Sequence, residues 1–390
     1  MKTLIKNVKI FDGNEIYGSN GWVLFDESQV LECGPNMDHV PEAEEVIDGT
    51  GKTLTPGLID GHVHLGALES GAGSSASVKS GALIAAQAHA MRQYGITSVR
   101  NCGTGNNADI YVRDMIRSGQ IEGARLVACG KVICITGGHG WQMGIECDNA
   151  DEVRKAARTQ IREGADMIKM MATGGMGTKG SKPNVSQLTE EQMRAAVEEA
   201  EKVGCITAAH CTGLEGAQNA IRAGVRCIEH AMLDEETAQM METAGAYYCP
   251  TIVTRYNILH ITDPKYMWMR TKANPDDLDR KKQALQLCLK HHITICAGTD
   301  AGPNVLTPLG KSLLTELNIY REYGLSPIEV LRAATSNNAK MMKIDNITGS
   351  IKPGLQADMA LFDGDPTEDT KDLEKLCITF QSGKQVWKQN

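Results

Sequence analysis

The sequence predicts an α/β fold: a (β/α)8 TIM barrel carrying a small β-sandwich domain built from both chain termini. Three observations predict it. In the middle of the chain, eight short apolar stretches alternate with helix-like stretches, the pattern of a parallel sheet wrapped by helices. Polar residues recur at the C-terminal ends of those stretches, where barrel enzymes build their sites. Both chain ends instead carry short strands of alternating polarity broken by Gly, Asn and Pro, as antiparallel sheets do.

At the N-terminus, Thr3–Ile10, Gly21–Phe25 and Val30–Cys33 read as strands of a small sheet. The barrel strands are expected at Leu58–Leu65, Thr97–Asn101, Arg125–Ile135, Met167–Met171, Cys205–His210, Arg226–His230, Ala246–Thr251 and Ile293–Gly298. Helices are expected between them at Ala82–Gln93, Ala108–Ser118, Ala150–Glu163, Glu190–Val203, Leu214–Ala223, Asp234–Thr243 and Asp277–His291, with Gly310–Tyr323 after the last strand. The C-terminal stretches Asp358–Asp363, Cys377–Phe380 and Lys384–Trp387 read again as strands. Neither end offers enough apolar surface to fold alone, so the two are expected to pair. The predicted division is 1–55 and 349–390 for the sandwich and 56–348 for the barrel. A doubly wound open sheet is the competing architecture, but no Gly-rich dinucleotide turn follows the first barrel strand.

Composition narrows the function. A net charge of −8 without a Lys/Arg run argues against nucleic acid as a partner. No apolar segment is long enough to span a membrane, and the N-terminus interleaves charge with apolar residues, unlike a signal peptide. The 12 cysteines include no C-x-x-C pair, and many lie in apolar runs; they read as reduced, buried residues of a cytoplasmic protein.

The run Pro56-Gly57-Leu58-Ile59-Asp60-Gly61-His62-Val63-His64-Leu65-Gly66 is the most informative segment. Side chains alternate along a strand, so His62 and His64 share a side, and two imidazoles between glycines are suited to hold a metal. Further polar residues end later strands: His210, His230 and Asp300. Lys169 lies inside the apolar strand Met167–Met171, where its charge is costly. One solution is reaction of neutral Lys169 with CO2, giving a carbamate that bridges two cations. The alternative is a structural lysine paired with an acid such as Glu229 across the barrel.

Taken together, the HxH run, Lys169, His210, His230, Gly298-Thr299-Asp300-Ala301 and the re-entry Gly349–Asp358 resemble the amidohydrolase superfamily, and the resemblance spans nearly the whole chain. It is most similar to the binuclear hydrolases with a carboxylated lysine. Ile168–Gly175 and Gly137-Gly138-His139-Gly140 resemble the Xaa-Pro and Xaa-Arg dipeptidase branch, with imidazolonepropionase-like relatives. The resemblance implies two divalent metals. His62, His64 and Asp300 would hold the more buried one, His210 and His230 the second, and carboxylated Lys169 both. Zinc suits these ligands, and manganese or iron are admitted. A shared hydroxide would attack an amide carbonyl, with Asp300 passing its proton to the leaving nitrogen. The implied reaction is hydrolysis of a dipeptide or N-acyl amino acid; cyclic amide hydrolysis or heterocycle deamination is the alternative. A barrel that has lost catalysis would be expected to have lost ligands, and here every expected position is filled. Relatives of this fold commonly assemble, so a homo-oligomer is expected.

On the substrate side, His139 lies in a Gly-rich loop past the third strand, and the resemblance implies contact with a substrate carbonyl or carboxylate. Arg255 and Tyr256 follow the seventh strand and have the chemistry to bind a carboxylate. The loop 258–274 after them carries aromatic and Met residues that suit a lid or surface packing. Gly175-Met176-Gly177-Thr178-Lys179-Gly180 matches G-x-G-x-x-G without a helix positioned for a phosphate. It reads as a loop over the site, with Lys179 and Lys182 available to an acidic substrate. His39, His89, His291 and His292 read as structural.

Overall fold

The computed structural model describes residues 1–66, 74–270, 273–302 and 306–389. The first strands are β1 (Thr3–Phe11), β2 (Ile16–Phe25), β3 (Val30–Gly34), β4 (Glu45–Asp48) and β5 (Lys52–Pro56). There follow β6 (Leu58–Val63), β7 (Ile96–Asn101), β8 (Arg125–Ala128), β9 (Val132–Cys134), β10 (Gly144–Glu146), β11 (Met167–Met171), β12 (Ile206–His210), β13 (Cys227–Glu229) and β14 (Tyr247–Cys249). The chain closes with β15 (Met359–Asp363), β16 (Leu376–Gln381) and β17 (Lys384–Lys388).

Both chain ends enter one eight-stranded sheet, ordered β17-β16-β15-β5-β1-β2-β3 with β4 beside β1. β5 is the junction, antiparallel to β15 and parallel to β1. The strands from the two ends are linked by hydrogen bonds into one sheet. Its twist brings Phe25 of β2 to Phe380 of β16, ring centroids 5.2 Å apart, over a separate core that includes Ile5, Val8, Leu54, Met359 and Ile378.

The middle of the chain forms two parallel sheets, β6-β7-β8 and β10-β9-β11-β12-β13-β14, a mixed α/β arrangement of TIM-barrel type. β6, β7 and β11 are buried throughout, as strands covered on both faces must be. The expected strand Arg125–Ile135 is broken into β8 and β9. Gly130 there turns left-handed at φ 68°, and Asp109 accepts from the amides of Cys129 and Gly130 at 3.1 Å each.

The expected eighth strand, Ile293–Gly298, is reduced to an isolated bridge between Ile295 and Tyr248. The helix Ser336–Met341 explains this. Asn338 Nδ2 donates to the carbonyls of Ile59 at 2.7 Å and Ala297 at 2.8 Å. The carbonyls of Ala333 and Ala334 accept the amides of Ala297 and Ile59. Apart from Gly61 N, which donates to Ala297 O at 2.8 Å, groups that a ladder with β6 would use are satisfied from outside. Higher up, His62 O accepts from the amides of Thr299 and Asp300, and His64 N donates to Ala301 O. The two segments are therefore tied together at the level of the histidines.

Helices pack outside the strands. The first is longer than expected, Ser74–Met91, and a helix, Ile252–Leu259, stands where a loop was expected after β14. No described helix is long and apolar enough to cross a membrane. The cysteines are free and mostly buried, and Cys102, Cys227, Cys249 and Cys296 act as small apolar filling beside Ile59 and Met167.

Ahead of the 293–298 segment, His291 bridges Glu242 and Glu235 at 2.9 Å each. Its bonds to Glu242 and Glu235 raise its pKa. A folded-state pKa above the unfolded value makes the bridge's stabilisation fully present below the unfolded pKa and lost as pH rises through the raised one. His291→Gln is therefore expected to lower the Tm at about pH 6 and to leave it nearly unchanged at about pH 9. Equal losses in thermal melts at both pH values would eliminate the charged bridge.

Candidate metal centre and active site

His62 sits inside β6 and His64 just past it, on the same side, with ring centroids 5.4 Å apart. His210 ends β12, and His230 follows β13. The rings form a chain: His62–His230 at 4.8 Å, His230–His210 at 4.6 Å and His210–His139 at 4.4 Å between centroids. Asp300 Oδ1 lies 3.4 Å from Nε2 of both His62 and His64. Lys169 Nζ, fully buried on β11, lies 3.5 Å from His62 Nε2. Ligand atoms of His62, His64 and Asp300 lie within 4.8 Å of one another.

Backbone strain supports this gathering. His230 at φ 66°, Thr251 at φ 48° and Asp300 at φ 54° are left-handed without being glycine, a conformation costing about 1–3 kcal/mol each and concentrated at functional sites. Asp60 secures the Asp300 turn, accepting from Thr299 Oγ1 at 2.8 Å and from the amides of Thr299 and His62 at 3.1 and 3.2 Å. Burial pushes the Asp60 carboxyl up to about 7, against those three bonds.

Below the histidines lies an ion pair the sequence did not reveal. Glu229 accepts from Arg100 Nη2 at 2.6 Å and lies 2.7 Å from His62 Nδ1, all three fully buried. Burial opposes the Glu229 carboxylate, but Arg100 and His62 outweigh it and hold its pKa well below the usual range. The direct bonds of Glu229 go to Arg100 and His62, and Lys169 acts on it through charge alone. His62, Glu229 and Cys249 also cluster closely enough for a metal, but Glu229 is committed to Arg100 and burial keeps the Cys249 thiol protonated.

Burial lowers the imidazoles of His62 and His139 to about 4 and holds His210 and His230 well below the ordinary value. All four are neutral at neutral pH, the form that binds metals. Burial would raise Asp300, yet His64, His62 and Lys169 together hold it low. Burial disfavours the Lys169 ammonium, while the Glu229 and Asp300 carboxylates favour it, and its pKa moves up. Burial alone does not remove the proton.

A cavity of about 600 Å³ opens over His64, His139, His210, His230 and Asp300. His139 Nδ1 bonds Thr178 Oγ1 at 3.0 Å, and its ring lies against Gly175, where any side chain would overlap it. The outer wall is apolar at Met143, Met176, Ile258, Tyr266, Trp268 and Leu306 and cationic at Arg255, Lys265 and Lys281. Arg255 reaches the cavity from the helix Ile252–Leu259, paired with Asp277 at 3.2 Å and touching Met176 Sδ. Tyr256 is not in the wall; its ring stacks on His260 at 4.3 Å. Tyr266 and Trp268 show that the 258–274 segment borders the cavity, although 271–272 lie outside the described residues. Lys179 and Lys182 are exposed and outside the wall.

A TIM-barrel-type fold whose strand ends gather imidazoles and a carboxylate beneath a cavity has the form of a barrel hydrolase with a candidate metal centre. The chain belongs to the amidohydrolase family, whose profile matches residues 53–386, and is thus a hydrolase acting on carbon–nitrogen bonds. Ochratoxinase of Aspergillus niger is 30% identical over 374 residues, covering 86% of this chain and 74% of that one. A crystal structure of a Xaa-Pro dipeptidase with bound methionine in the active site superposes with a TM-score of 0.87 at 27% identity, covering 100% of both chains. A prolidase complexed with N-methylphosphonate-L-proline superposes at 0.85 with 26% identity, again covering 100% of both.

Proposed function

We propose that this protein hydrolyses the amide bond of a dipeptide, of Xaa-Pro or Xaa-Arg type, or of an N-acyl amino acid, using two divalent cations, preferably Zn2+, and a CO2-derived carbamate on Lys169. The convergence of four imidazoles, Asp300 and the Lys169 amine on one point under the cavity carries this reading. The donor set fits. His62 Nδ1 is taken by Glu229, His64 Nδ1 by Gly103 O, His230 Nδ1 by Thr251 Oγ1 and His210 Nε2 by Gly174 O. Each ring keeps one nitrogen for a metal, oriented by its other bond. His62, His64 and Asp300 would hold one cation and His210 and His230 the other, with Lys169 between them. When bound, such cations supply Lewis acidity and acidify water near neutral pH.

The chain's own residues supply the rest. Asp300 takes the proton of the attacking water and delivers it to the leaving nitrogen, which departs poorly unprotonated. Neutral His139 spends one nitrogen on Thr178 and has the other for the substrate carbonyl or carboxylate. Arg255, at the cavity wall, faces a substrate carboxylate in competition with Asp277. The apolar wall suits an uncharged side chain or acyl group, and free cysteines suit a reducing cytoplasm.

The test is hydrolysis across a library of dipeptides and N-acyl amino acids by metal-reconstituted protein. Turnover is expected for members with a free carboxylate and lost when it is capped as an amide. Turnover confined to cyclic amides or heterocycles would overturn the reading. Arg255→Met is expected to raise KM about 10–100-fold, the worth of one charge-assisted hydrogen bond, with kcat little changed. An unchanged KM would remove Arg255 from the carboxylate subsite.

A further inference from the structure

We propose that Lys281 and Glu316, carried by two outer helices, are positioning residues for the second metal site. They clamp the main chain around Thr251 so that His230 is held in place; this rests on the metal-centre reading above. The helix Asp277–Lys290 buries Asp277, Lys281, Ala284, Leu285 and Cys288, and the helix Lys311–Glu322 buries Leu313, Glu316, Leu317 and Tyr320. Lys281 and Glu316 thus occupy core-facing positions that packing alone would fill with apolar residues.

Both spend their polar heads on backbone. Lys281 Nζ donates to His230 O at 2.5 Å and Pro250 O at 2.7 Å. Glu316 accepts from the amides of Ile252 at 2.8 Å and Val253 at 2.5 Å, two of the amides left open at the start of the helix Ile252–Leu259. Between these contacts lies left-handed Thr251, whose Oγ1 is 2.5 Å from His230 Nδ1. His230 is left-handed as well. The ammonium therefore bridges the main chain after β13 and after β14, and the carboxylate fixes the chain beyond Thr251. The Thr251 hydroxyl passes that placement to the imidazole. An apolar residue at 281 would leave the buried His230 carbonyl without its side-chain donor and Pro250 O with the Thr251 hydroxyl alone, and the turns would relax.

The experiment counts metals per chain, by elemental analysis and chelator competition, in wild type, Lys281→Met, Glu316→Gln and Thr251→Val. Wild type is expected to hold two. Each variant is expected to keep one and to bind the second about 10–100-fold more weakly, the range for groups that orient a metal ligand. Thr251→Ser, which keeps the hydroxyl, is expected to restore the second metal. A general packing defect would weaken both metals and would not single out the pair that includes His230. If Lys281→Met does not fold, Thr251→Val, which keeps both charges, carries the test. Folded variants with two metals at wild-type affinity, or parallel loss of both, would overturn the inference. A wild type without metal would overturn the metal-centre reading and this inference with it.

Discussion

Asp300→Asn is expected to lower kcat by about 10²–10⁴-fold, the usual contribution of a positioned general acid–base group, while the protein stays folded. Asp300 sits at φ 54°, and asparagine tolerates the left-handed region as aspartate does. The backbone bonds from Asp300 N to His62 O and from His64 N to Ala301 O do not involve the side chain, so the turn survives the change. What is lost is the carboxylate 3.4 Å from both His62 and His64. It can no longer accept a proton and pass it on. The proposed carboxylate contact of Arg255 is separate, so KM should move far less than kcat. Steady-state kinetics with metal content checked in parallel decides the matter. Near-normal turnover in a metal-loaded variant would end the assignment of Asp300 as the proton carrier.

The sequence revealed groups that obey a short period. His62 and His64 are two residues apart on one strand, and His210 ends an apolar run; alternation and strand ends carry their positions directly. Asp60 falls on the same alternation as His62 and His64 and was open to the same argument. The eighth strand failed because its partner groups are taken by Asn338 and the carbonyls of Ala333 and Ala334, contacts about 40 residues and more away that no local pattern encodes. The Arg100–Glu229 pair and the Lys281 clamp were hidden for a related reason. A lysine among Arg280, Lys281 and Lys282 looks like a solvated face, and only the helix phase, fixed by packing, turns one of the three inward. Tyr256 illustrates the reverse. It was read as a loop residue, but the chain after Thr251 is helical, which sends neighbours 255 and 256 in different directions.

Lys169→Met is expected to lower the metal content from two toward one or none and turnover by about 10³-fold or more, as loss of water activation implies. Methionine fills nearly the same volume, so the variant separates chemistry from packing better than alanine would. In the unmodified chain the ammonium of Lys169 is favoured by Glu229 and Asp300 against burial. Charge as well as burial therefore sets the protonation of Lys169. Two cations bound among the four neutral imidazoles, as proposed, would reverse that balance, repelling an ammonium and attracting an anion in its place. Carbamate formation and metal binding should then be coupled. Metal uptake by apo protein should depend on dissolved CO2, and a small carboxylic acid such as acetate should restore part of the metal content and turnover of Lys169→Met. Elemental analysis and kinetics with and without bicarbonate test the coupling. Full metal occupancy in Lys169→Met, or uptake indifferent to CO2, would show that Lys169 serves the site as an ordinary amine.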